Sequence, residues 1–161
     1  MTTLNRPIAP LWRRLAAMFY DTFLLIGVLS LATFLYNWLA LEISGQTLEL
    51  SRHNGDIINQ LPSPTEGPLY QLYLFCLIGA FYCYFWCKLG QTLGMQAWRL
   101  RVCQLDGQKL SFKQSLIRYL SAWLSISCFG LGYLWSLFHR EGSSWHDLLS
   151  KSKVEVIEKR S

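Results

Sequence analysis

Arg14, Asp21, His146 and Asp147 are the residues of this chain whose types and settings suit chemistry. Asp21 is the one acidic residue in an apolar stretch from Leu15 to Leu41, long enough to cross a bilayer. A carboxyl group at that depth costs roughly 2.5–3.5 kcal/mol on insertion scales, so it takes a partner or a task. Arg14 precedes it by seven positions, about two turns at ~3.6 residues per turn, which puts both on one helix face. Two readings follow for Asp21: a structural pair with Arg14 or another polar group, or a carboxylate that handles ions or protons. Thr22, Ser30, Thr33 and Asn37 form a polar stripe on the same helix, but at ~100° per residue it is centred well away from Asp21. An ion path through Asp21 therefore needs other helices or subunits.

The second acidic position carries its own structural alternative. Ser144-Trp145-His146-Asp147 fits a capping box, which favours an acid in the first turn of a helix. His146 beside it either titrates near neutral pH or fills a structural role at the interface. No Ser/His/Asp order with a supporting motif and no HExxH zinc spacing occurs. The reading is therefore of a protein that is not an enzyme, with no catalytic residue, cofactor or metal site. Cys83 and Cys87 lie four apart on one helix face, but no further ligand is near in sequence, and packing is the better account.

The elements that must position these residues are dictated by hydropathy. The chain has 161 residues, of which 52% are hydrophobic and only 16% charged. A soluble domain carries about 25% charged residues. The deficit falls in three blocks, Leu15–Leu41, Leu69–Cys87 and Tyr119–Phe138. The fold class this implies is an all-α membrane protein. It has two clear transmembrane helices, at 11–41 and 69–87, and a third hydrophobic segment read as a helical hairpin over 112–138. The first block is too long for a cleaved signal, contains Asp21 and lacks a small-x-small site, so it reads as a retained helix.

The formal net charge of +5 is distributed by segment. Arg6, Arg13 and Arg14 precede the first block, and Lys88, Arg99, Arg101, Lys109, Lys113 and Arg118 fill the 88–118 connection. The 42–68 loop holds Arg52 against Glu42, Glu49, Asp56 and Glu66. Basic residues mark the cytoplasmic side. That places the N-terminus inside, the 42–68 loop outside and the 88–118 segment inside, in a bacterial inner membrane. The basic charge is thus accounted for by the bilayer, and no nucleic acid is implied. The outside loop is rich in Pro and Gly, with a short surface helix expected around Leu48–Leu61. None of the five cysteines falls in it, so no disulfide framework is expected.

Gly90-Gln91-Thr92-Leu93-Gly94 follows the second block and reads as a turn leaving the helix. A cytoplasmic strand is expected at 98–105, closed by Asp106-Gly107, with a partner strand at 153–158 in a cytoplasmic tail 139–161. The two pair only if the third block returns to its own side, and Gly130 and Gly132 break that block near its end. Ser111 and Gln114 form the capping box that starts it. The seam Cys76, Ala80, Cys83 and Cys87, with Gly79 beside it, is expected to face the first helix. The hairpin would bring Asp147 to the level of Arg14, about 10 Å above Asp21 at 1.5 Å per residue, so that Arg14 lies between two carboxylates.

Taken in order, these stretches resemble the RDD family, named for one arginine and two aspartates. They are Arg13-Arg14-Leu15-Ala16-Ala17 with Asp21, Gly90-Gln91-Thr92-Leu93-Gly94, Leu100-Arg101-Val102 with Asp106-Gly107, and His146-Asp147-Leu148-Leu149. The resemblance puts the family arginine on Arg14 and its aspartates on Asp21 and Asp147. This chain has Leu93 and Met95 where the family's glycine motif has proline and lysine, and Ser150-Lys151-Ser152 in place of a small-residue ending. What the resemblance implies is a small integral membrane protein for which transport, including sodium–proton exchange in some members, has been suggested. The functional expectations are two: a small cation or proton transporter or transporter component, or a non-enzymatic scaffold or accessory subunit. Its partners would be the bilayer and a homo-oligomer or membrane partner.

Overall fold

The computed structural model describes residues 7–44, 51–53, 56–58, 65, 67–140 and 142–157. The chain forms ten elements in order. They are α1 (Leu11–Ser44), β1 (Ser51–His53), β2 (Asp56–Ile58), α2 (Pro68–Lys88), α3 (Leu93–Ala97), β3 (Leu100–Gln104), α4 (Phe112–Ser127), α5 (Leu131–Phe138), α6 (Trp145–Leu149) and β4 (Ser152–Val156). They sort into two compact units, Met1–Leu24 with Ile78–Ser161, and Leu25–Leu77.

Two helices are long and apolar enough to cross a membrane, Leu11–Ile43 and Pro68–Lys88. Each slightly outruns its apolar block, because Pro10 and Pro68 set helix entry where a missing N–H costs nothing. The third hydrophobic segment is two helices, α4 and α5, bent by 97° at a short break. The helical hairpin expected over 112–138 thus takes the form of a near right-angled corner. Phe129 and Gly130 both take positive φ, 54° and 76°, and these adjacent left-handed residues turn the chain through a corner. Gly132 then sits where a Cβ would meet the Ser125 side chain and approach Trp145 Cε3 to 3.0 Å, so α4, α5 and α6 pack closely there.

The expected turn at Gly90–Gly94 is more than a turn. Gly90, at φ 72°, ends α2, and Thr92 caps the short helix α3 by accepting from Met95 N at 3.2 Å. Trp98 closes α3, so the strand begins at Leu100 rather than at 98. β3 and β4 pair antiparallel, with Val102 opposite Val154. Pro7–Ala9 adds to the outer side of β4, where Val156 N donates to Pro7 O at 3.0 Å and Ala9 N to Val154 O at 2.8 Å. Leu100, Val102, Cys103 and Val154 are buried in this small layer. The strand expected at 153–158 is β4, and Glu158 lies outside the described residues. The Ser111–Gln114 capping box forms as written in the sequence.

Two further expectations change. Where a surface helix was expected around Leu48–Leu61, the described residues are the strands β1 and β2, paired from Ser51↔Ile58 to His53↔Asp56; the rest of that stretch lies outside the described residues. Asn54-Gly55 between the strands is a hairpin-turn dipeptide, the stronger local signal. The part of the small-residue seam that includes Gly79 and Cys87 faces α4, where α1 was expected. A Cβ on Gly79 would meet the Tyr119 ring at 2.9 Å, and Cys87 Sγ lies 3.2 Å from Ser115 Oγ.

In the Leu25–Leu77 unit, α1 and α2 meet through tyrosines. Thr33 Oγ1 and Tyr70 OH are 2.6 Å apart, and Tyr36 stacks on Tyr73 at 5.4 Å. The polar stripe on α1 bonds back onto its own helix: Thr22, Thr33 and Asn37 each donate to a carbonyl four residues earlier.

Candidate functional site

The ionisable residues gather in the unit formed by Met1–Leu24 and Ile78–Ser161. Arg14 on α1 is 6% exposed, Arg118 on α4 4%, His146 on α6 5%, and Asp147 on α6 0%. Arg14 Nη1 donates to Asp147 Oδ2 at 2.6 Å, and Arg118 Nη1 donates to Oδ1 at 2.5 Å. The arrangement inverts the expected one. A single carboxylate lies between two arginines, and Arg14 does not lie between two carboxylates.

Side-chain direction explains the inversion. Helical side chains lean toward the helix N-terminus. Arg14 therefore reaches back past the start of α1, where Nε donates to Ala9 O at 2.9 Å and Nη2 to Gly142 O at 3.1 Å. Asp21 leans the same way but is far shorter. It stays at the level of Ala17 and meets α3 instead of Arg14.

Asp147 is saturated. Besides both arginines it accepts from Ser144 N at 3.0 Å and from Ser144 Oγ at 2.6 Å, closing the capping box of α6. Capping and ion pairing are therefore two roles of one carboxylate. Burial alone would push the Asp147 carboxyl up, but Arg118 and Arg14, with the Ser144 hydrogen bond, outweigh it and hold the group well below the usual carboxylate range. Arg118 also donates to Ser152 Oγ at 2.7 Å, so one guanidinium ties α4, α6 and the start of β4 together.

His146 is set by the same network. Its Nε2 lies 2.9 Å from Ser144 Oγ, whose own proton goes to ionised Asp147. The imidazole must then donate from Nε2, which leaves Nδ1 as an acceptor. Burial first, and then the Arg118 charge, lower the His146 pKa to about 3, so the ring is neutral. It packs on Tyr133 with centroids 4.6 Å apart.

Asp21, 2% exposed, makes a separate site. Thr92 Oγ1 donates to its Oδ2 at 2.5 Å, and Gly94 N donates to Oδ1 at 2.8 Å. Thr92 is fully buried and uses its lone pair to cap α3, so Asp21 and Thr92 together satisfy N–H groups in that helix's first turn. Gly94 admits no side chain: a Cβ would lie 2.9 Å from Asp21 Cγ and would strike the Ala17 carbonyl. Among the described residues, Asp21 has no basic partner. Gly90 is buried beside Arg101, and Gln91 is half-buried without a polar contact to this site among the described residues.

Arg118 escaped the sequence reading. It stands at the edge of the third apolar block and was counted with the basic 88–118 connection. The signal that marks it is the row Ser115, Arg118, Ser121 and Ser125, a buried polar face at helical spacing on α4. Glu155 was missed too. It is buried on β4, accepts from the Cys103 thiol, and lies 3.9 Å from Lys153 Nζ. Burial, then this hydrogen bond, push the Cys103 thiol up to about 12, which makes it a packing group and not a nucleophile.

Two apolar helices of spanning length, a bent third segment and buried Arg/Asp networks define a small membrane protein with charged groups fixed inside its fold. The chain belongs to the RDD family, whose model matches residues 8–151 and so includes Arg14, Asp21 and Asp147. Neither a curated protein nor a solved structure gives a significant match.

Proposed function

We propose that this chain is a non-enzymatic membrane scaffold or accessory subunit, in which α1 holds a small cytoplasmic β3–β4 platform for a membrane partner or a second copy. One observation carries the reading. Each ionisable side chain on the buried face of α1 is occupied in fastening one end of that platform: Arg14 holds α6, which leads into β4, and Asp21 holds α3, which leads into β3. The location that fits is a bacterial inner membrane with both ends of the chain inside, supported by the basic residues before α1 and in the 88–118 connection.

A second reading is favoured by a specific feature of Asp21. It is a buried carboxylate within a membrane span and has no basic partner among the described residues, the setting in which intramembrane acids carry ions or protons. On that reading the chain is a small cation or proton transporter, or a component of one. Reconstitution into vesicles with a pH-sensitive dye separates the two. The scaffold reading expects no cation-dependent proton flux from well-incorporated wild type, and a loss of stability in Asp21→Asn. Flux in wild type that vanishes in a folded, equally incorporated Asp21→Asn protein would overturn it.

A further inference from the structure

The inner end of α2 carries a cluster of cations that the Arg/Asp networks do not use. Lys88 is the last residue of the helix and is exposed. Lys109 Nζ donates to the Lys88 backbone carbonyl at 2.6 Å, so its ammonium is pinned on the helix end. Arg101 on β3 lies against the same corner, its Nε 3.5 Å from where a Gly90 Cβ would be. None of the three is ion-paired to a carboxylate among the described residues. The acid nearest in sequence, Asp106, accepts instead from Gln108 N.

The surroundings fix the kind of partner. Leu89, Leu105 and Phe112 are adjacent in sequence or within a few residues of these cations, and are 48%, 64% and 68% exposed. A set of cations at the end of a spanning helix, of which Arg101 and Lys109 contact backbone carbonyls and none a carboxylate among the described residues, with exposed apolar residues close by in sequence, matches the boundary between phosphate headgroups and acyl chains. A soluble anion would be served by the cations alone and gives no account of the apolar residues.

We propose that Lys88, Arg101 and Lys109 form a headgroup site for an anionic phospholipid at the inner end of α2. The proposal rests on α2 crossing the bilayer and is independent of the role of Asp21. The cations would hold the phosphodiester while Leu89 and Phe112 lie along the upper acyl chain. Lys109 has a second task in closing α2, so its pinned position keeps the site formed in the absence of lipid.

The test uses the full chain in bilayers with spin-labelled phosphatidylglycerol or phosphatidylcholine, reading the ratio of their association constants. Wild type is expected to prefer phosphatidylglycerol. A juxtamembrane cation contributes roughly a fivefold preference, so Lys88→Gln with Arg101→Gln should lower the ratio by about tenfold or more. That double variant leaves the Lys109 contact in place, which guards against mistaking unfolding for lost binding. Lys153→Gln, which removes a cation on β4 that already lies 3.9 Å from Glu155, should leave the ratio near wild type. Excess inorganic phosphate at matched ionic strength should not displace the labelled lipid. An unchanged ratio in the folded double variant, an equal fall in Lys153→Gln, or displacement by phosphate would each overturn the proposal.

Discussion

Arg118 on α4 meets Asp147 on α6 at 2.5 Å, across 29 residues of sequence, with both side chains almost fully buried. A buried charge stripped of its partner is costly, because the remaining ion keeps its desolvation penalty and loses its counter-charge. Asp147 has two such partners, so the corner of the fold that joins α1, α4, α6 and β4 depends on a single carboxylate.

Arg118→Met is therefore expected to destabilise the protein by about 3–5 kcal/mol, comparably to Arg14→Met. Thermal or denaturant unfolding in detergent checks this. A near-neutral Arg118→Met would show that Arg14 alone holds Asp147.

Asp21 and Asp147 share no partner among the described residues. Asp21→Asn and Asp147→Asn should then add within about 0.5 kcal/mol. Asp21→Asn and Thr92→Val, which act on the two ends of one hydrogen bond, should be strongly non-additive. A double-mutant cycle in which the first pair couples would mean the two sites act as one.

Gly94→Ala forces a methyl into the Asp21 carboxylate and the Ala17 carbonyl. Overpacking of this kind costs about 1–3 kcal/mol. Gly27→Ala is the control, since nothing lies within 4 Å of its Cβ position. That change should be neutral, or stabilise α1 by roughly 0.5–1 kcal/mol. Equal melting shifts for the two variants would contradict the packing argument.

Acid should destabilise the fold in two stages. His146 is neutral when folded down to about pH 3 but takes up a proton below its ordinary pKa of 6.5 when unfolded. The unfolded state then binds more protons, so stability falls as pH drops between those values, by up to ~1.4 kcal/mol per pH unit. Asp147, held well below its ordinary 3.8, adds a further loss below that value, as the unfolded carboxyl protonates first. In His146→Gln the slope between about pH 6.5 and 4 should flatten while the lower one remains. A slope unchanged by that variant would remove His146 as its source.

The sequence by itself determined the two apolar helices of spanning length, the β3–β4 pair and the identity of four of the buried ionisable residues, Arg14, Asp21, His146 and Asp147. Long apolar runs, alternation around Val102 and Val154, and caps such as Ser111–Gln114 are local signals whose physics acts within a few turns of chain. Which charge meets which was left to the tertiary structure. Arg14 and Asp21 share a face, yet the backward lean of helical side chains sends the long arginine to Asp147 and leaves the short aspartate to Thr92 and Gly94. The entry of Arg118 into the same network depends on a 97° corner at Phe129–Gly130 and on α6 folding against α4. Hydropathy has no term for such a corner: ion pairing over 29 residues is decided by where packed helices place their side chains.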